Sequence, residues 1–234
     1  MSYNRKPKMI LFDVGGTLFN DGKCIPSNGF EKLRLAAKNP DAATAADLAA
    51  CWDEYMHEVS GIKSKSGITL DPPLSAVIKY ATMRTGLLFD ISMAEQEEIF
   101  DRFNSSRSVI DGVPELLAEL DKSDIRTAVI SNNMMSGDGL ELAIAEWIPN
   151  AKFEFCLTSA DLLFTKPSNN IFSAALGFAQ LDPADCWYCG DGLIPDVDGA
   201  RNSGMMPVLL DEKSAVPFEM RTGGGRDGYL TVNN

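Results

Sequence analysis

The sequence predicts an α/β fold, a parallel sheet with helices on both faces, into which a stretch of helices alone is inserted. Three observations predict it. Short apolar runs recur, and each stops at a glycine or polar residue, as the buried strands of a parallel sheet do. Segments with apolar residues three and four apart lie between several of these runs. From about residue 20 to 108 the alternation lapses, and helical spacing continues with no convincing core strand.

The first run, 9–12, is closed by Asp13, Gly15 and Gly16 and reads as a strand ending in a glycine turn. Helical patterns follow over 30–37, 44–59, 74–85 and 93–103. The next, 113–120, carries Pro114 in its first turn, where a missing N–H is tolerated, and sets Leu116, Leu117 and Leu120 on one face. A strand over 125–130 ends at Ser131 and Asn132, and a helix over 140–147 follows. A strand over 153–157 ends at Thr158, before a helix over 170–178. The run 186–189 ends at Gly190, Asp191 and Gly192. A helix over 195–202 has Asp196 and Asp198 in its first turn and Gly204 as its stop. Runs at 206–210 and 229–232 complete the sheet. Residues 1–19 and 109–234 are therefore expected to form the α/β core, and 20–108 a small all-helical domain lying over the site as a lid.

Composition narrows the function classes. The chain has 234 residues, 45% apolar and 23% charged, which is ordinary globular usage and argues against a disordered or collagen-like chain. Its 21 Lys and Arg face 33 Asp and Glu, a net charge of −12. Such an anion repels nucleic acid and acidic membranes, although local cations can still hold a small phosphorylated substrate. The apolar run behind the basic start is too short for a secretory signal, and no stretch approaches the ~18 apolar residues of a membrane span. Five cysteines, at 24, 51, 156, 186 and 189, are expected to be reduced thiols in a cytoplasmic setting.

Ligands of open α/β sheets bind beyond the carboxyl ends of the strands. Asp13, Ser131, Asn132, Asp191 and Asp196 all follow strands here, and Lys166 sits in a loop before a helix. Several carboxylates that converge repel one another unless a cation sits among them. Oxygen ligands beside a lysine suit Mg²⁺ and a phosphoryl group.

Four segments carry a resemblance. The run from Ile10 through Asp13, Gly15, Gly16 and Thr17 to Leu18 resembles the first motif of the haloacid dehalogenase-like (HAD) hydrolases. Val129 to Asn132 resembles the second, Thr165-Lys166-Pro167 with Ile171 and Phe172 the third, and Gly190-Asp191 with Asp196 to Ala200 the fourth. The order matches, and the helical insertion is similar to the cap placed between the first two motifs. The resemblance implies a Rossmann-like core and a Mg²⁺-dependent hydrolase, most simply a phosphatase of a small metabolite. It implies Asp13 as nucleophile and Asp13, Asp191 and the carbonyl of Gly15 around Mg²⁺, with Asp196 orienting that site. Thr17, Ser131, Asn132 and Lys166 would bind substrate, and Lys166 would also neutralise charge on the transferring group.

One position departs from the pattern. Family phosphatases usually carry a second aspartate two residues after the nucleophile as general acid/base, and here that residue is Gly15. Asn20 and Asp21 follow in the expected flap, from which Asp21 could reach in. Slow turnover is expected, and Gly15→Asp is expected to help if the turn accepts a side chain. Three alternatives stay open: a non-catalytic phosphate- or protein-binding relative, a dehalogenase-type enzyme needing no metal, and a phosphonate-cleaving enzyme using Lys32, Lys38, Lys63, Lys65 or Lys79. Neither substrate nor oligomeric state is legible.

Other signals have simpler readings. Cys186 and Cys189 lie three apart in a strand and point to opposite faces, so they do not form a pair. Gly223 to Gly228 fits a dinucleotide glycine pattern, but no helix follows it, and it reads as a loop. His57 is the only histidine and reads as surface or packing. Trp52, Tyr55 and Met56 read as core.

Overall fold

The apolar runs pair into one sheet. The computed structural model describes residues 6–66, 72–211, 218–221 and 229–232. β1 (Met9–Phe12) is followed by β2 (Phe19–Asn20) and the helices α1 (Pro26–Leu35), α2 (Ala45–Ser66), α3 (Leu74–Thr85) and α4 (Met93–Asn104). β3 (Ser108–Val109), α5 (Val113–Lys122), β4 (Arg126–Ser131), α6 (Gly137–Trp147), β5 (Phe153–Thr158), the single turn α7 (Ser159–Leu162) and α8 (Asn169–Ala179) come next. β6 (Cys186–Gly190), α9 (Gly199–Asn202), β7 (Met206–Leu210), β8 (Phe218–Arg221) and β9 (Tyr229–Val232) end the described chain. The sheet order is β5-β4-β1-β6-β7-β9-β8. The first six strands are parallel, and β8 pairs antiparallel with β9 at the edge.

Strand alternation divides the core between two faces. Met9 and Leu11 pack with Ile130, Tyr188, Ile171 and Phe172 on the α8 side. Phe12 and Val129 pack with Val113, Leu117, Leu140 and Ile144 on the α5 and α6 side. Each face thus has its own helices, as a parallel sheet requires. Cys186 and Cys189 separate as expected, Cys186 in the first cluster and Cys189 against the second. Burial pushes the Cys186 thiol up to about 11 and the Cys189 thiol up to about 12, which leaves both unreactive at neutral pH.

Some local expectations change. Leu116 is exposed, because Val113, Leu117 and Leu120, four and three residues apart, make the buried stripe of α5. The helix expected over 195–202 is a π-helical turn, Leu193–Asp198, running into the short α9. β2 and β3, two residues each and paired antiparallel at the two ends of the helical insertion, carry too little sequence to show alternation. The short turn α7 is held by a capping box between Thr158 and Asp161. The 223–228 loop lies outside the described residues. Among the described residues no helix is long and apolar enough to cross a membrane.

The inserted helices share a core with the sheet. Phe30, Leu33, Leu48, Ile78 and Phe100 belong to the same buried cluster as Phe12, Val14 and Ile144. Trp52 is half-buried and stacks on Phe100 at 5.4 Å, and Phe30 meets Phe100 edge-on at 4.8 Å. His57 is exposed. A polar contact reinforces this packing. Glu97 of α4 is fully buried and accepts hydrogen bonds from the Ser136 N–H, at 3.0 Å, and from the Ser136 hydroxyl. Ser136 in turn caps α6 through the Gly139 N–H at 3.1 Å. Glu97→Ala leaves the half-buried Ser136 amide without its acceptor and is expected to lower stability by about 1–3 kcal/mol, read as a drop in urea midpoint at unchanged slope.

Candidate active site

β1 places Asp13. The ladder continues one residue past Phe12, with the Asp13 N–H donating to the Cys189 carbonyl at 2.9 Å. β4 and β6 flank β1 in parallel, so the loops after Phe12, Ser131 and Gly190 leave the same edge of the sheet. A polar cavity of about 400 Å³ lies there, lined by Asp13, Gly15, Asp21, Ser131, Lys166 and Asp191, with Pro195 at its margin. A second cavity of about 270 Å³ shares Gly15, Asp21, Ser131 and Asn132 with it and runs under the inserted helices to Trp52 and Arg107.

Lys166 is the hub of the site. Its side chain is 1% exposed, and Nζ lies 2.7 Å from Asp13 Oδ1 and 2.7 Å from Asp196 Oδ1. Nζ also donates to the Tyr188 hydroxyl at 2.9 Å, and that hydroxyl donates to the Ile130 carbonyl at 2.7 Å. All three ammonium protons therefore have acceptors, which is what a buried lysine needs to stay charged. Phe172 meets the Tyr188 ring edge-on at 5.2 Å and holds it in place. The Lys166 backbone is held too: its N–H donates to Asn132 Oδ1 at 2.7 Å, and Asn132 Nδ2 donates to its carbonyl at 3.2 Å.

Carboxylates outnumber cations here. Oxygens of Asp13, Asp191 and Asp196 all lie within 4.8 Å of one another. Three carboxylates against one ammonium leave two negative charges uncompensated. Burial, with the Asp196 charge adding and Lys166 opposing, raises the Asp13 carboxyl above the ordinary aspartate range. Burial and then the charges of Asp13 and Asp196 raise Asp191. Gly16 sits at φ +68°, and the space a Cβ would need there is taken by the Asp191 carboxylate. Only glycine both adopts that angle easily and lets Asp191 come so close.

The sequence-predicted residues fall into three groups. Asp13, Lys166, Asp191, Ser131 and the Gly15 backbone line the cavity. Asp196 is 1% exposed and stands behind it, its Oδ1 on Lys166 and its Oδ2 accepting the Gly192 N–H at 2.8 Å. Asn132 lines the cavity as well, and its carboxamide clamps the Lys166 backbone. The Thr17 side chain is not brought in. It is buried and lines a separate apolar cavity with Phe12, Leu18 and Trp187, because the tight turn after β1 rotates it to the other side. Lys32, Lys38 and Lys79 line neither site cavity, and the side chains of Lys63 and Lys65 lie outside the described residues. Tyr188 was not anticipated: in an apolar strand it reads as core, and only its hydroxyl signals a buried partner. Arg107 and Asp101 were not anticipated either. They join through two hydrogen bonds, 2.7 and 3.3 Å, in the wall of the second cavity.

Residues 10–209 match the family model described as haloacid dehalogenase-like hydrolase. Haloacid dehalogenase-like hydrolase domain-containing protein 3 of Homo sapiens is 34% identical over 104 residues, 44% of this chain and 39% of that protein. The chain thus spans under half the length of this relative. The fold is similar to that of a 2-haloacid dehalogenase from Pseudomonas syringae pv. Tomato DC3000, with a TM-score of 0.52, 22% identity, and 90% and 89% of the two chains covered. It is equally similar to the HAD-hydrolase YfnB of Bacillus subtilis in its magnesium-bound form, with a TM-score of 0.52, 18% identity, and 89% and 91% covered.

Proposed function

Because the chain belongs to the haloacid dehalogenase-like hydrolase family, we propose that it is a Mg²⁺-dependent phosphatase of a small phosphorylated metabolite, working through a phosphorylated Asp13. The observation that carries this reading is the excess of carboxylate over ammonium at the end of β1. A divalent cation offsets that charge, and an all-oxygen donor set suits a hard one. Asp13, Asp191 and the Gly15 carbonyl would hold it. Asp196, whose two oxygens are engaged by Lys166 and the Gly192 N–H, acts from behind. Bound there, Mg²⁺ would offset charge on the phosphoryl oxygens.

The remaining roles belong to the chain itself. Asp13 is a carboxylate held at a strand end, positioned for attack on phosphorus. Lys166 holds the Asp13 carboxylate in place and lowers the cost of bringing a phosphate dianion beside it. Ser131 lines both cavities and offers its hydroxyl to the phosphoryl oxygens. Residues of α2 and α4 with Arg107 border the second cavity, where the alcohol portion of the substrate would lie, so we assign the choice of substrate to the helical segment 20–108. A dehalogenase attacking carbon has no need of the carboxylate cluster, which favours the phosphatase reading. The decisive test is phosphate release from a panel of phosphate esters with Mg²⁺ and with chelator; equal rates in both exclude the proposal.

Metal binding can be read without turnover. Mg²⁺ at about 100 times its dissociation constant is expected to stabilise the protein by about 2.7 kcal/mol, visible as a higher Tm. Asp191→Asn removes a ligand and also relieves carboxylate repulsion. It is expected to raise Tm in chelator and to abolish the Mg²⁺ response. A Tm indifferent to Mg²⁺ in the native protein counts against the metal site.

A further inference from the structure

We propose that Asp21 supplies the carboxyl that is absent at position 15, passing a proton to the leaving oxygen and recovering one from the attacking water. The proposal rests on the phosphatase reading above. A Cβ built on Gly15 falls 2.5 Å from Asp21 Oδ2 and 3.2 Å from its Cγ. The Asp21 carboxylate therefore already fills the space that a side chain at 15 would enter. Position 15 is not otherwise closed to a side chain, because Gly15, unlike Gly16, is not among the glycines with positive φ.

The local chain explains how a residue six positions later arrives there. The Phe19 N–H donates to the Val14 carbonyl at 3.0 Å and the Gly16 N–H to the Phe19 carbonyl at 2.8 Å, folding the chain back over the end of β1. The β2–β3 pairing holds the return strand, and Asp21 follows directly. Its side chain lines both the cavity of Asp13 and the adjoining one under the helices. With the phosphoryl group at Asp13 and the alcohol under the helices, the bridging oxygen lies where the two cavities meet.

The other candidates are committed elsewhere. Lys166 serves Asp13, Asp196 and Tyr188. Asp191 faces the carboxylate cluster, and Asp101 is tied to Arg107. In the first step an Asp13 oxygen bonds to phosphorus, and the ester P–O bond breaks. Its electron pair stays on the leaving oxygen, which takes the proton of the Asp21 carboxyl. In the second step water attacks phosphorus, the Asp21 carboxylate takes a proton from that water, and the bond to Asp13 breaks. Ester and water become alcohol and phosphate, and both aspartates are restored.

The experiment compares matched aryl and alkyl phosphates, with Mg²⁺, for the native protein, D21N, D21A, G15D and G15D/D21A. D21N is expected to lose about 10²–10⁴-fold on the alkyl ester, the usual worth of a general acid, and far less in the first step on the aryl ester, which leaves without a proton. With the aryl ester, D21N also accumulates phosphorylated Asp13, seen by intact-protein mass, because the water has lost its base. G15D alone brings two carboxyls into one space and does not accelerate the alkyl ester. G15D/D21A has room for the new carboxyl and recovers at least about tenfold over D21A on the alkyl ester. An alkyl-to-aryl ratio of first-step rates in D21N equal to that of the native protein overturns the assignment of Asp21. A native protein that releases phosphate from neither ester overturns the phosphatase reading instead.

Discussion

Asp13→Asn is expected to leave the protein folded and to cut phosphate release by about 10⁴-fold or more, the scale on which loss of a nucleophile acts. A carboxamide is a poor nucleophile and a weak ligand for a hard cation. The fold should survive, because burial works against the Asp13 carboxylate and an uncharged isostere removes that penalty. Lys166 keeps Asp196 and Tyr188 as acceptors in the variant. Tm in chelator should therefore stay level or rise, while the stabilisation by Mg²⁺ shrinks. Phosphate release undiminished in Asp13→Asn would remove Asp13 from the mechanism.

Lys166→Met should be the most damaging single change to stability. It leaves Asp13 and Asp196 facing each other with no cation, and breaking a buried pair typically costs about 3–5 kcal/mol. For a chain of this size that is a fall in Tm of about 6–20 °C. The loss depends on pH with a definite sign. Without the ammonium, the folded-state value of the Asp13 carboxyl, already raised by burial, rises further above its unfolded value, so the folded protein binds protons more tightly. The penalty is fully present above the raised folded value of Asp13 and fades as pH falls through it towards the ordinary aspartate range. Melts of Lys166→Met and the native protein should thus converge at acid pH and diverge towards neutrality. Lys166→Met combined with Asp196→Asn should recover part of the loss. Parallel melting curves at every pH would mean that Lys166 is not the counter-charge of these carboxylates.

The elements that were legible share one property: their signal lies within a few consecutive residues. The apolar runs read at 9–12, 125–130 and 186–189 are the strands Met9–Phe12, Arg126–Ser131 and Cys186–Gly190, because helices cover both faces of the sheet, and α3 spans the residues its spacing predicts. Leu116 and the two-residue strands β2 and β3 were misread or missed, since one residue of helical phase and two residues of strand are below what periodicity resolves. The polar residues at strand ends were nameable one by one because parallel strands bring their carboxyl ends to one edge whatever their order in the chain.

By itself, then, the sequence determined the alternation of strands and helices, the interruption by helices alone, the acidic cluster with its single lysine, and the missing side chain at 15. Tertiary structure alone decided which of those groups touch. Tyr188 completes the Lys166 site from β6 because β6 lies beside β1 in register, Leu11 opposite Tyr188. Asn132 became a clamp on the Lys166 backbone across 34 residues of chain. Thr17 turned away from the site, and Asp21 turned into the space beside Gly15, within one tight turn. The physical reason is range. Burial periodicity is a property of neighbours in sequence, whereas the meeting of polar atoms depends on strand register, on crossovers tens of residues long and on ångström-scale turn geometry, none of which any local window contains.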